Sequence, residues 1–171
     1  MKAGRITAVL TLLALATGHA LAGAGLRYNR SPSVPTGWYR IDYNDKTPFV
    51  GDYVAFCLPE SPILHEAVRR GYLGKGPCPG NTSSLLKMVA AGPGDTIEVR
   101  DSGVFVNGQP WPKSGVAIPN LQAFSGPALL NQGHYLFMSE YDSLGFDGRY
   151  LGPSAGTTIL GIARPLGTFL P

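Results

Sequence analysis

The sequence predicts an all-β domain, mainly antiparallel, with a small helical insertion and a hydrophobic helix at the N-terminus. Gly and Pro supply 23 and 15 of the 171 residues and are spread along the whole chain, which is typical of many tight turns. Between them stand short runs of aromatic and β-branched residues, the composition of strands. The predicted strands are Trp38–Ile41, Tyr53–Leu58, Leu85–Ala91, Thr96–Arg100, Val104–Val106, Tyr135–Met138 and Thr158–Ala163.

Turn and loop signals separate these runs. Asn107-Gly108 directly follows the run that ends at Val106 and predicts a two-residue hairpin turn. The stretches 75–84 and 113–133 are rich in Gly, Pro, Ser and Asn, and we expect them to be loops. One good helix candidate lies in the body of the chain, between residues 59 and 71. Its apolar face is predicted to consist of Ile63, Leu64, Ala67 and Val68, with Gly71 at its end.

The N-terminal segment predicts export. Lys2 and Arg5 precede a stretch from Ile6 to Leu26 without a Lys, Arg, Asp or Glu, and the stretch includes Ala20–Ala22, which has the form of a secretory cleavage site. A buried core helix is the alternative, but such a helix would show a polar face and this stretch shows none. Residues 1–22 are therefore either a signal peptide or, since the uncharged stretch is long enough to span a bilayer, a membrane anchor. Residues 23–171 are then the extracytoplasmic domain.

The cysteine content agrees with export. Cys57 and Cys78 are the two cysteines of the chain, an even number that suits an oxidising compartment. A bridge between them would staple the helical insertion and add roughly 3 kcal/mol to stability on the chain-entropy model; two buried free thiols are the alternative. Without Cys-x-x-Cys spacing, and with three scattered histidines, no metal site is expected. A net charge of +3 without a Lys/Arg cluster argues against a nucleic-acid partner.

A stiff segment after the hydrophobic stretch contains a candidate nucleophile. It reads Asn-Arg-Ser-Pro-Ser-Val-Pro-Thr-Gly-Trp-Tyr from residue 29 to residue 39. Pro32 and Pro35 each fix a φ angle and restrict the preceding residue to extended geometry, so Ser33 lies in a stiff backbone. In an extended chain the hydroxyl of Ser31 points to the same side as that of Ser33, where it can donate to an oxyanion. A linker behind a signal sequence is the alternative interpretation.

Two further segments carry ionisable residues. Lys87 lies in the apolar run Leu-Leu-Lys-Met-Val-Ala-Ala, before a Gly-Pro-Gly-Asp turn. If Lys87 is buried, its pKa falls and its neutral amine can accept the proton of a serine; a solvent-facing lysine is the alternative. Asp147 and Arg149 stand two residues apart in a Gly-rich stretch, which by itself indicates a turn with an exposed ion pair.

The three segments together resemble the motifs of the signal peptidase I superfamily, peptidase family S26, and most closely those of its conjugative-transfer branch, the TraF-type peptidases. Asn-x-Ser-x-Ser-x-Pro-x-Gly-x-Tyr at 29–39 is similar to the nucleophile box of that branch, with Ser33 as the nucleophile. The residues from Lys87 to Asp95 are similar to its lysine box, Lys-x-x-x-x-x-Pro-Gly-Asp, and those at 147–152 to its Asp-Ser-Arg-Tyr-x-Gly box. The paired cysteines around a short helix are also similar to that branch.

The resemblance implies a periplasmic β domain with a Ser–Lys dyad, without metal or cofactor and tethered to the inner membrane or free of it. Neutral Lys87 would deprotonate Ser33, which forms an acyl-enzyme with a peptide carbonyl. Asp147 would count with the catalytic residues and Arg149 would support the site. The expected partner is an exported polypeptide bound as an added strand, a pilin precursor in the conjugative branch, where part of the group releases a cyclic product.

Two positions depart from the motifs. Gly148 stands where the family has Ser between Asp and Arg, and Gly145 stands where bacterial signal peptidases carry a serine that contacts the lysine. We therefore expect another group to hold Lys87. The alternatives to a pilin peptidase are a general type I signal peptidase and a non-enzymatic secreted assembly module. A Ser–His–Asp hydrolase is disfavoured because no histidine belongs to a Gly-x-Ser-x-Gly or similar elbow.

Overall fold

The computed structural model describes residues 6–8, 10–12 and 23–170. Its body is built from two antiparallel sheets, as the turn-rich pattern predicts. The strands are β1 (Leu26–Asn29), β2 (Thr36–Asp42), β3 (Tyr53–Phe56), β4 (Lys75–Cys78), β5 (Leu85–Ala91), β6 (Thr96–Arg100), β7 (Gly103–Val106), β8 (Gln109–Pro110), β9 (Gly126–Leu129), β10 (His134–Met138), β11 (Ser154–Ala155) and β12 (Ile159–Phe169). The helices of the body are α1 (Pro62–Arg69) and α2 (Gly148–Leu151).

The larger sheet has seven strands in the order β1-β2-β12-β3-β5-β10-β11, and the smaller one has four in the order β8-β7-β6-β9. All seven predicted strands are present, and β12 continues past its predicted end at Ala163 to Phe169. Strand β4 lies in the first predicted loop and β9 in the second. Both were missed because Gly and Pro in a short strand carry a turn signal.

Two turns follow from their sequences. Asn107 and Gly108 have φ values of 51° and 77°, which is the geometry that a two-residue hairpin turn requires between β7 and β8. The Gly-Pro-Gly-Asp turn joins β5 of the larger sheet to β6 of the smaller sheet. There the Asp95 carboxylate accepts hydrogen bonds from the Gly92 backbone N–H and the Asn107 side-chain amide, both at 2.8 Å.

Helix α1 is the predicted helical insertion. Ser61 caps its N-terminus through a hydrogen bond from the Leu64 backbone N–H at 3.3 Å, and Gly71 follows its end with φ 73°. Leu64 and Ala67 are buried as predicted, but Val68 is 48% exposed, so the apolar face is narrower than the sequence pattern suggested. Cys57 and Cys78, which flank the insertion, are joined in a disulfide with an S–S distance of 2.02 Å.

The central strand β5 carries Lys87 into the core. Side chains alternate along a strand, so Lys87 lies on the same face as Leu85 and Val89, which pack into the cluster formed with α1. On β3, Val54 is its register partner. Val34, the residue after Ser33, is buried in a further cluster with Tyr39, Ile41, Ala55 and Ala163. Both candidate residues therefore have rigid supports.

Most of the predicted N-terminal hydrophobic helix lies outside the described residues. Residues 6–8 and 10–12 are helical, with Ile6, Leu10 and Leu12 exposed. Within the described parts of the chain, no helix combines the length and apolar character needed to cross a membrane.

Candidate active site

Ser33 lies in the connection between β1 and β2, and the motif residues around it shape that connection. The Asn29 side-chain amide donates to the backbone carbonyls of Ser31, Val34 and Pro35 at 2.8, 3.2 and 3.2 Å. The buried Tyr39 hydroxyl donates to the same Pro35 carbonyl at 2.7 Å. Asn29 and Tyr39, the first and last residues of the motif, therefore hold the segment between them through hydrogen bonds to its backbone, which is a structural role.

Ser31 and Ser33 meet through a turn, and the extended geometry expected from the two prolines is wrong at this point. The cause is local: the Asn29 carboxamide also accepts from the Ser31 backbone N–H at 3.0 Å and so bends the chain. The two hydroxyl oxygens lie 2.8 Å apart, and the Ser33 backbone N–H donates to Ser31 Oγ at 3.2 Å. The two hydroxyls are close to each other as predicted, but a turn brings them together and not an extended chain.

The amino group of Lys87 contacts two hydroxyls. Its Nζ lies 2.6 Å from Ser33 Oγ and 2.9 Å from Ser139 Oγ. All three side chains belong to residues that are 3% exposed, so the contact is shielded from water. Burial lowers the pKa of Lys87 to about 8, although the carboxylates of Asp147 and Asp142 raise it. At pH 7 roughly a tenth of such amines is unprotonated and able to accept a proton, far more than for a lysine with an ordinary pKa.

Asp147 and Arg149 form a fully buried ion pair, both residues being 0% exposed; the exposed pair indicated by the sequence alone is wrong. Arg149 Nε and Nη2 each donate to a different Asp147 carboxylate oxygen at 2.8 Å. Asp147 also accepts from the Ser139 backbone N–H at 2.9 Å. Within the part of the chain that the structure describes, Asp147 forms no hydrogen bond with Lys87 or Ser33. The remaining Arg149 donors reach the backbone carbonyls of Gly115, Ser143 and Asp142.

Ser33 and Lys87 open onto a cleft of about 470 Å³ whose walls come from residues 29–33, 83–87 and 142–146, with Tyr72 at one side. A second cleft of about 580 Å³ shares Asn29, Ser83, Ser84 and Leu86 with the first. The two clefts are therefore neighbours, and the first of them contains Ser33 and Lys87. Among residues 6–8, 10–12 and 23–170, no three His, Cys, Asp or Glu side chains are grouped to hold a metal ion.

The model of the signal peptidase family, peptidase S26, matches residues 2–166. The chain belongs to this family. It is 37% identical to the probable conjugal transfer protein TraF of Sinorhizobium fredii, over 96% of this chain and 88% of the relative. It is 36% identical to the plasmid transfer protein TraF of Escherichia coli, over 99% of this chain and 96% of the relative.

The solved structure of a signal peptidase I from Enterococcus faecalis has a TM-score of 0.39 and 20% identity, covering 69% of this chain and 97% of that one. Membership of the signal peptidase family therefore rests on the sequence matches. The family match agrees with the resemblance found from the three motifs. In the structure Ser33 contacts both Ser31 and Lys87, and Asp147 lies behind them, bonded to the backbone of Ser139.

The sequence reasoning missed Ser139. This residue follows β10 directly and belongs to none of the three motifs, so its position in sequence resembles an ordinary strand end. One signal was available: Gly145 lacks the serine that signal peptidases carry there, and some other group had to replace it. At the second departure, a Cβ built on Gly148 would lie 2.5 Å from Leu136 Cδ1, so Leu136 fills the space that a serine side chain would need.

Proposed function

We propose that this chain is a serine endopeptidase in which Ser33 is the nucleophile and Lys87 the general base. The observation that carries the proposal is the 2.6 Å contact between Lys87 Nζ and Ser33 Oγ in a buried setting that lowers the lysine pKa to about 8. A general base works best when its pKa lies near the working pH. Membership of the signal peptidase family supports the same reaction class.

The proposed reaction has two steps. In the first, the Ser33 proton moves to Lys87 Nζ while Oγ bonds to the carbonyl carbon of the substrate, and the proton then passes to the departing amine as the peptide bond breaks. In the second step, water or an amine loses a proton to Lys87 Nζ and attacks the acyl carbon; the ester bond to Ser33 Oγ breaks, and Oγ takes the proton back from Lys87. The Ser31 hydroxyl, 2.8 Å from Ser33 Oγ, is a candidate donor to the oxyanion. Asp147 and Arg149 act behind the pair as positioning residues.

The proposed substrate is an exported precursor, and specifically a conjugative pilin precursor. The support comes from relatives named as conjugal or plasmid transfer proteins that align with nearly the whole chain. We expect an extended peptide to bind along the two clefts between residues 29–33 and 83–87, where it can add as a strand. If the precursor's own amino terminus attacks the acyl-enzyme, the product is cyclic; if water attacks, it is linear.

The proposed location is the periplasm, with residues 1–22 serving as the export signal or as an anchor in the inner membrane. A general signal peptidase is the second candidate, favoured by the breadth of the family description itself. The two functions differ in substrate range: a pilin peptidase processes a dedicated precursor, and a general signal peptidase processes many.

The test uses the purified full chain in detergent with two substrates: the pilin precursor encoded with the same transfer apparatus, and an unrelated secreted precursor. We expect cleavage of the pilin precursor, with mass spectrometry separating a linear product from a cyclic one lighter by one water. Equal cleavage of both precursors would favour the general signal peptidase. If the chain cleaves no precursor and forms no acyl-enzyme with any of them, the proposed function fails and the non-enzymatic assembly module is the remaining candidate.

A further inference from the structure

Ser139 is a buried serine whose hydroxyl reaches the proposed general base. It lies at the end of β10, is 3% exposed, and its Oγ accepts from Lys87 Nζ at 2.9 Å. Within the described chain, the Lys87 amino group has two hydrogen-bond partners, Ser33 and Ser139. Polar groups buried to this degree are almost always paired, and Lys87 is paired with two hydroxyls.

The position of Ser139 is fixed by its backbone. Its N–H donates to Asp147 Oδ2 at 2.9 Å, and its carbonyl accepts from Trp111 Nε1 at 3.2 Å. The next residue holds the nucleophile itself, because the Glu140 N–H donates to the Ser33 carbonyl at 2.6 Å. The dipeptide 139–140 therefore contacts both members of the Ser33–Lys87 pair, one through a side chain and the other through the backbone.

Gly145 shows why the hydroxyl comes from residue 139. A Cβ built on Gly145 would overlap Ser139 Oγ and would lie 2.7 Å from Ser139 Cβ. The Ser139 side chain thus occupies the space that a side chain at position 145 would enter. The hydroxyl in that space comes from Ser139, which directly follows β10, and not from position 145 in the loop that precedes Asp147.

We propose that Ser139 is the positioning residue of Lys87, supplying from the end of β10 the hydroxyl that Gly145 cannot supply. The role rests on the proposed function. A neutral amine has two N–H groups and one lone pair; when one N–H is donated to Ser139 Oγ, the lone pair is aimed at the Ser33 hydroxyl. Asp147 then contributes without touching Lys87, because it holds the backbone of the residue that does.

The charged groups that act on Lys87 lie between the end of β10 and the end of α2. Asp147 and Asp142 raise the lysine pKa, and Arg149 lowers it. None of them is altered by a change at Ser139. A neutral hydroxyl that accepts from Nζ stabilises the ammonium form more than the amine form, so its removal should lower the pKa of Lys87 further.

The experiment is an NMR titration of the lysine side chains in protein with ¹³C-labelled lysine, assigned with Lys87→Met. In Ser139→Ala we expect the pKa of Lys87 to fall by roughly one unit and acylation of the pilin precursor to slow by about 10- to 100-fold. Ser139→Thr keeps the hydroxyl and should restore both values toward those of the parent. Ser114→Ala removes another buried serine hydroxyl, 4% exposed, and should leave the titration of Lys87 unchanged.

An unchanged Lys87 titration in Ser139→Ala would overturn the proposal, and so would an equal shift in Ser114→Ala. The titration needs no substrate. If the parent protein processes no precursor at all, the proposed function fails while the titration still decides whether Ser139 positions Lys87.

Discussion

Lys87 and Arg149 are both buried cations, and their surroundings differ in kind. Lys87 contacts two neutral hydroxyls, whereas Arg149 contacts both oxygens of the Asp147 carboxylate and three backbone carbonyls. Burial without a directly bonded counter-charge lowers the pKa of Lys87 to about 8. Arg149 keeps its charge because its guanidinium is matched by a carboxylate in bidentate geometry.

The difference separates two tasks within one site. A buried lysine without a directly bonded carboxylate is poised to exchange a proton, which suits a general base. A buried arginine with a matched carboxylate is a fixed support, whose removal leaves an uncompensated charge in the core. Ser139 links the two, since its hydroxyl contacts Lys87 and its backbone N–H contacts Asp147.

The largest expected effect is on the chemistry itself. Ser33→Ala and Lys87→Ala should each lower processing of the pilin precursor by roughly 10⁴-fold or more, because nucleophile and base act as one unit. Purified variants are assayed by mass spectrometry of the product, with circular dichroism to show that they are folded. Ser102→Ala and Lys46→Ala, at exposed positions, are the matched controls and should process normally. Normal processing by Lys87→Ala would remove the proposed dyad.

The next effect is on the free energy of unfolding when the Asp147–Arg149 ion pair is broken. Asp147→Asn leaves Arg149 charged and buried without its carboxylate, and we expect it to lower the free energy of unfolding by about 3–5 kcal/mol. Urea unfolding measures the change. Glu98→Gln breaks the surface pair with Arg100, whose side chain is 54% exposed, and should change the free energy of unfolding far less, because water screens the pair. Equal costs for the two variants would contradict a supporting role for the buried pair.

Ser31→Ala should have a milder effect on rate. If its hydroxyl donates to the oxyanion, the acylation rate should fall by about 10- to 10³-fold while the unfolding transition changes little. Single-turnover kinetics with the pilin precursor give the rate. Full activity in Ser31→Ala would limit this residue to shaping the turn that bears Ser33.

The last effect is the response of the wild-type rate to pH. A base that must be neutral makes the acylation rate rise about tenfold per pH unit below its pKa and level off above it. With the Lys87 pKa at about 8, the rate should rise through a single ionisation near that value. The pH profile of single-turnover acylation is the measurement. The profile should cover about three pH units around the expected pKa, from about 6 to about 9. A rate that does not change over this range would exclude Lys87 as a titrating general base.

Much of the fold and of the site could be predicted from the sequence, and the failures concern individual segments. Strand β5 and the hairpin at Asn107-Gly108 followed from composition and turn chemistry, and the lysine motif placed Lys87 on β5. Burial of Asp147 and Arg149 could not be predicted, because their segment is rich in glycine and carries no apolar periodicity. It is buried by packing from residues distant in sequence, such as Leu136 and Gly115.

The role of Ser139 was likewise beyond prediction. A serine at the end of an apolar strand has no motif of its own, and its contact with Lys87 joins residues 52 positions apart. The turn at Ser31 was predicted as extended because proline restrictions were weighed without the three hydrogen bonds that Asn29 donates. Here the hydrogen bonds of the Asn29 side chain to the backbone outweigh the preference of residues before proline for extended geometry.

The most direct test of the central claim, that Lys87 is buried as a proton acceptor, is the free energy of unfolding of Lys87→Met and the parent as a function of pH. Between about 8, the folded pKa, and 10.5, the ordinary value, the unfolded chain binds the extra proton, so the parent's stability should rise with pH across this window. Below pH 8 the buried lysine costs on the order of 3 kcal/mol. Lys87→Met should therefore be inactive yet at least as stable as the parent at pH 7, with the difference shrinking toward pH 10. A Met variant clearly less stable at pH 7 would mean that Lys87 is charged and paired, and the general-base assignment would fall.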